Sequence, residues 1–83
     1  MPFYVYILYS ATTNRYYIGS CEEVETRLQQ HNSGRNLSTK YGIPWELKKM
    51  EVFITRSEAF QSESFIKKMK SKAFIEKVIA GKR

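Results

Sequence analysis

The chain has 83 residues, with fourteen Lys and Arg against eight acids, all of them Glu, for a net charge of +6; it holds one Cys (Cys21) and one His (His31). This length predicts one small domain with a simple core, since such a chain buries only about 60% of its unfolded surface. The lack of Asp and the single Cys and His exclude a Cys/His zinc site, a paired-aspartate centre, a Ser/His/Asp triad and a disulfide framework.

Phe3 to Tyr9 is almost all aromatic or β-branched, and at this short length it reads as a buried strand. The turn-forming run Ser10 to Asn14 follows, and Arg15 to Gly19 resumes the strand pattern, which predicts an antiparallel hairpin. Ser20 followed by Glu23 fits a capping box, so a helix is expected from about Cys21 to His31, stopped by Asn32, Ser33 and Gly34. Arg35 to Pro44 reads as an exposed basic loop. Trp45 to Thr55 has strand character, but Trp45 and Leu47 share one parity while Met50, Val52 and Ile54 share the other. A β-bulge near Lys48 and Lys49 reconciles them. Ser57 is positioned to cap a second helix carrying Ala59, Phe60, Ile66 and Met69. Ser71 marks the junction to a third stretch with Phe74, Ile75, Val78 and Ile79. The expected class is α/β in the α+β sense: a three-stranded antiparallel sheet flanked by helices, in the order β-β-α-β-α-α, over residues 1–83.

The longest apolar run is far below the ~20 residues that span a bilayer, and the first ten residues carry no Lys or Arg. A soluble, unprocessed, cytoplasmic protein without membrane attachment is expected. The positive charge predicts a polyanionic partner, nucleic acid first. The membrane-surface alternative ranks low, because the third helical stretch is short for an interfacial anchor.

Three groups of polar residues stand out. Glu63 falls inside the stripe that the second helix should bury, where a carboxylate needs a partner. Two readings stay open: an i,i+4 pair with Lys67, or a ligand for a hard cation that takes most of its shell from water and phosphate. Arg27 and His31 project from one border of the first helix. An arginine there either lays its stem over apolar neighbours or grips a phosphate, and a lone histidine near a core is more often a satisfied hydrogen-bonding residue than a catalyst. Tyr4 and Tyr6 share a strand face, while Tyr16 and Tyr17 take opposite faces; sheet packing is the default reading for them. Lys67, Lys68, Lys70 and Lys72 form either a solvated helix face or a phosphate-contacting one.

In this order and spacing the residues resemble the GIY-YIG nucleases, specifically a short stand-alone bacterial branch similar to the N-terminal domain of an excision-repair endonuclease. Tyr17-Ile18-Gly19 keeps the second signature, and Tyr4-Val5-Tyr6 stands where the first belongs, with ten residues between Tyr6 and Tyr17. Arg27 comes eight positions after Gly19, His31 completes the spacing on the first helix, and Glu63 matches the family's metal-binding glutamate. The resemblance implies a catalytic set of Tyr6, Tyr17, Arg27, His31 and Glu63, with one divalent ion, Mg²⁺ or Mn²⁺, held by Glu63. It implies hydrolysis of DNA phosphodiesters, on structured or damaged DNA, with Tyr6 activating water, Tyr17 or His31 orienting it or relaying the proton, and Arg27 stabilising the phosphoryl charge. Two departures are evident: the first triplet lacks its Gly and Ile, and no Asn follows Asn36, where many family members have one beyond the glutamate. Contacts to nucleic acid then fall to Arg35, Lys40, Lys67, Lys68, Lys70 and Lys72, with a protein partner as a further source of specificity. A non-catalytic nucleic-acid-binding module that keeps the fold is the competing function.

Overall fold

The computed structural model describes residues 2–81. The strands are β1 (Phe3–Ser10), β2 (Arg15–Cys21) and β3 (Trp45–Phe53); the helices are α1 (Val24–Asn32), α2 (Arg56–Met69) and α3 (Lys72–Ile79). The order β-β-α-β-α-α and the three-stranded antiparallel sheet agree with the sequence reading. The sheet order is β2-β1-β3, with both pairings antiparallel, so the most apolar strand lies in the middle.

Because side chains alternate across a strand, β1 supplies two cores. Val5 and Ile7 face α2 and α3, where they pack with Ile18, Ala59, Ile66 and Val78. Tyr6 and Leu8 face the other way and pack with Val24 of α1 and Trp45 of β3. Tyr17 belongs to this second cluster and Tyr16 to the first, as their parity requires. In the hairpin turn, Ser10 Oγ accepts the Thr13 amide, and Asn14 takes the left-handed conformation (φ 55°) that asparagine tolerates.

The expected bulge is present. Ile7 pairs with Lys49 and Leu8 with Leu47, which leaves Lys48 as the extra residue. The extra residue brings Leu47, Met50 and Val52 to one face, where Met50 and Val52 stay exposed, and Trp45 arrives opposite Ser10 on the α1 side of the sheet.

Four local expectations are corrected. Ser20 does not cap α1: it pairs with Val5 inside β2, the helix begins at Val24, and its N-cap, Glu23, makes no side-chain capping bond. Pairing with β1 outcompetes the local capping motif, and β2 runs on through Ser20 and Cys21. Ser57 does not cap α2; Thr55 does, in a reciprocal capping box with Glu58. The α2 stripe is narrower than expected, since Ala59 and Ile66 are buried whereas Phe60 and Met69 are exposed. The loop after α1 is only partly exposed: it contains a 3-10 turn (Lys40–Gly42), and Thr39 and Gly42 are buried. Ser71 does sit at the α2–α3 junction, where its side chain accepts the Phe74 amide as the N-cap of α3.

Thr55→Ala should therefore cost about 1 kcal/mol of stability, while Ser57→Ala stays within about 0.5 kcal/mol of the parent. Urea unfolding midpoints of the two variants check this.

Candidate active site

The site begins with a backbone constraint. Tyr6 on β1 pairs directly with Gly19 on β2, and the phenol lies over that glycine. A Cβ placed at Gly19 would come within 2.5 Å of Tyr6 Oη. Glycine is needed here for space rather than for an unusual dihedral angle, which gives the glycine of the second triplet a mechanical role.

Tyr6, 3% exposed, is hydrogen-bonded through Oη to His31 Nε2 at 3.2 Å, and His31, 2% exposed, is bonded through Nδ1 to Thr39 Oγ1 at 3.1 Å. The Thr39 hydroxyl donates onward to the Asn36 carbonyl at 3.5 Å. In the tautomer whose Nδ1–H donates to Thr39, Nε2 is the acceptor for the Tyr6 proton. The loop is anchored by Trp45, whose Nε1 donates to the Thr39 carbonyl at 2.8 Å, and Tyr17 completes the wall, its ring centroid 4.6 Å from that of His31 and 6.3 Å from that of Tyr6.

Burial sets the protonation states. The Tyr6 phenol is pushed far above its usual 10.0, first by desolvation and then by Tyr17, Cys21 and Glu63, against the opposing pull of Arg27. His31 is held below its usual 6.5, by desolvation first and by the Arg27 guanidinium second. Near neutral pH both groups are uncharged, with the phenol proton directed at a free imidazole lone pair.

Arg27 and Glu63 approach from different elements, yet both act electrostatically on the Tyr6 phenol. Arg27 is exposed on α1 and lines a cleft of about 810 Å³ between the end of β2, the start of α1 and the start of α2. Among the described residues its guanidinium makes no ion pair. Ser20 also lines this cleft, and its hydroxyl donates to Glu63 Oε1 at 2.5 Å. The Glu63 side chain is 13% exposed, and Oε2 accepts from Lys67 Nζ at 2.6 Å. Of the two readings for Glu63, the Lys67 pair is thus present, but on a carboxylate that is largely buried and fixed from the neighbouring strand. Tyr6, Tyr17 and His31 form one contact group and Ser20, Glu63 and Lys67 another, on opposite faces of the sheet around its β2 side.

Of the expected phosphate-contacting cations, Lys67 is on Glu63, and Lys68, Lys70 and Lys72 are exposed around the end of α2. Arg35 lines a separate surface depression with Thr26 and Gln29, and Lys40 lies over the Tyr41 ring at 5.1 Å. Three contributors escape a sequence reading: Ser20, Thr39 and Arg56. Arg56 opens α2, lies over the Phe3 ring at 5.4 Å and shares the cleft with Arg27, so two arginines and a helix N-terminus line that space together with the carboxylates Glu22 and Glu23. The Thr55-x-x-Glu58 capping box carried the signal for Arg56.

The donor set suits a hard divalent cation. It offers one oriented carboxylate, and among the described residues there is no group of three or more His, Cys, Asp or Glu that could enclose an ion, so water and phosphate would complete the shell. No described helix is long and apolar enough to cross a membrane.

A buried Tyr-His pair, an arginine-lined cleft and a single hydrogen-bonded carboxylate lie on this α+β sheet, and the chain belongs to the GIY-YIG family: residues 2–77 match its GIY-YIG catalytic domain. Proteins of this family are nucleases that act on nucleic acid and generally use a divalent metal. A UPF0213 protein of Bacillus licheniformis is 36% identical over 70 residues, covering 83% of this chain and 71% of the relative. A UPF0213 protein of Streptococcus pyogenes serotype M5 is 32% identical over 71 residues, covering 84% and 76%. The solution structure of a UPF0213 protein from Bacillus halodurans superposes with a TM-score of 0.63 at 29% identity, covering 99% of this chain and 86% of that one.

Two outcomes follow from the buried phenol and imidazole. Gly19→Ala should destabilise the fold by about 1–3 kcal/mol, because the added methyl must displace Tyr6. Since the folded state holds the His31 pKa below its unfolded value, the unfolded chain binds the extra proton first as pH falls through 6.5. Stability should thus be fully present above that pH and decline below it until the folded-state pKa is passed. Urea midpoints taken across that range should show this slope in the parent and lose it in His31→Gln.

Proposed function

We propose that this protein is a metal-dependent endonuclease that hydrolyses phosphodiester bonds of DNA, with structured or damaged DNA as its substrate class. The hydrogen-bond chain Tyr6–His31–Thr39, with Arg27 on the neighbouring cleft and a largely buried Glu63 carboxylate bonded to Ser20, supports this reading. Glu63 would hold a divalent ion, Mg²⁺ or Mn²⁺, which when bound would supply Lewis-acid polarisation of the scissile phosphate and charge stabilisation for the leaving 3′ oxygen.

The chain's own residues perform the proton transfer and hold the charge. A phenol raised so far above 10.0 does not ionise at neutral pH, so Tyr6 acts as a relay. Its proton passes to His31 Nε2 while Oη takes a proton from the attacking water, and the hydroxide formed attacks phosphorus. His31, neutral at the outset, becomes an imidazolium whose Nδ1–H stays on Thr39. Tyr17 confines both rings and excludes water from their far side. Arg27, unpaired among the described residues and facing the cleft, binds the non-bridging oxygens where negative charge grows; a preorganised cation at that point is worth about 3–4 kcal/mol. Arg56 and the exposed cations Lys68, Lys70 and Lys72 hold the flanking phosphates, and Arg35 and Lys40 lie farther along the surface. A domain of this size has little area for reading base sequence, which favours recognition of DNA shape over a long specific sequence, with a partner protein as a source of further specificity.

Purified protein should nick plasmid or branched DNA with Mg²⁺ or Mn²⁺ and lose that activity in EDTA. Glu63→Gln should abolish cleavage, Tyr6→Phe should reduce it to near background, and Arg27→Ala should slow it by about 10²–10³-fold. Cleavage that survives Glu63→Gln refutes the mechanism. Salt-dependent binding with no metal-dependent cleavage assigns the protein instead to the non-catalytic nucleic-acid-binding class.

A further inference from the structure

Both oxygens of the Glu63 carboxylate are engaged, by partners of different kinds. Ser20 donates to Oε1 at 2.5 Å from a strand whose register is fixed by Val5, and Lys67 donates to Oε2 at 2.6 Å from one turn along the same helix. The serine is neutral and orients the carboxylate without competing for its charge. The lysine has the same sign as a divalent ion, and an ammonium and a metal on one carboxylate oxygen repel each other. Lys67 is also the more exposed partner, its side chain 50% exposed against 13% for Glu63, in the last turn of α2.

Building on the nuclease reading above, we propose that Lys67 is a positioning residue that exchanges partners: it sits on Glu63 while the site is free of substrate and moves to the phosphate backbone when a divalent ion takes Oε2. Charge is matched at both ends of the exchange. Before it, the ammonium faces the carboxylate; after it, the ion faces the carboxylate and the ammonium faces a phosphate. Each half-step alone is unfavourable. An ion binding without nucleic acid must turn Lys67 out with no partner, and a phosphate drawing Lys67 away without an ion leaves a largely buried carboxylate facing an anion. Ion binding and nucleic-acid binding therefore promote each other, and by linkage they do so equally. Lys68, Lys70 and Lys72, which make no ion pair among the described residues, lack this behaviour and act as fixed phosphate contacts.

The experiment is a Mg²⁺ titration of the full chain without nucleic acid, read from the backbone amide shifts of Ser20 and Glu63. Lys67→Met, which keeps helix propensity on an exposed position, should bind Mg²⁺ about fivefold tighter than the parent or more, while Lys67→Arg stays within about twofold. A second arm measures binding of a short labelled DNA duplex by fluorescence anisotropy, all proteins carrying Tyr6→Phe so that the duplex stays whole. In EDTA, Lys67→Met should match its parent; in Mg²⁺ it should bind several-fold more weakly. Unchanged or weakened Mg²⁺ affinity in Lys67→Met, or an equal loss of duplex binding with and without Mg²⁺, overturns the exchange. Glu63→Gln separates the two levels: if it keeps the parent's Mg²⁺ shifts, the metal-site reading itself fails, whereas if it loses them and Lys67→Met is indifferent, only the exchange fails.

Discussion

The Tyr6 ring rests on the bare backbone of Gly19, and the rest of the site depends on that contact. Any side chain at position 19 would lift the phenol away from β2 and out of reach of His31. With the ring seated, one hydrogen bond fixes the imidazole, a second fixes Thr39, and the Trp45 indole secures the loop that presents Thr39. Three stretches far apart in sequence are thus organised by one close strand pairing. Each polar atom in the series is satisfied, which allows a tyrosine and a histidine to be almost fully buried in so small a core.

The central strand divides the molecule's tasks by parity. Val5 and Ile7 hold α2 and α3 to the sheet, while Tyr4, Tyr6 and Leu8 build the face that carries the proton chain. Glu63 crosses this division. Its helix belongs to the structural face, where Ser20 on the outer strand holds the carboxylate by a hydrogen bond, yet its charge acts on the Tyr6 phenol across the sheet. Basic residues are arranged on the same plan. Arg27 and Arg56 line the cleft at the start of α2, and Lys68, Lys70 and Lys72 are exposed around the opposite end of that helix.

Much of this was legible because it is written in periodicity and order. The strands follow from β-branched and aromatic runs, the bulge from a broken alternation, and the candidate site from residues whose spacing matches a known family. What was illegible depends on non-local competition. Ser20 and Glu23 satisfy a capping pattern, but pairing with Val5 claims Ser20 for β2, and its hydroxyl is then spent on a glutamate in a distant helix. Thr39 reads as one more polar loop residue, and its burial comes only from His31 and Trp45 closing over it. Ser57 and Thr55 are both acceptable caps locally; Glu58 decides between them, at three residues from Thr55 and one from Ser57.

The bulge at Lys48 has a consequence for how such a chain can vary. One extra residue in β3 reverses the facing of everything before it, which brings Trp45 under Thr39 instead of against α2 and α3. A substitution at position 48 gives up the Lys48 contacts with Glu46 and the Tyr9 ring but leaves the facing of Trp45 intact, whereas a shortened strand turns it away.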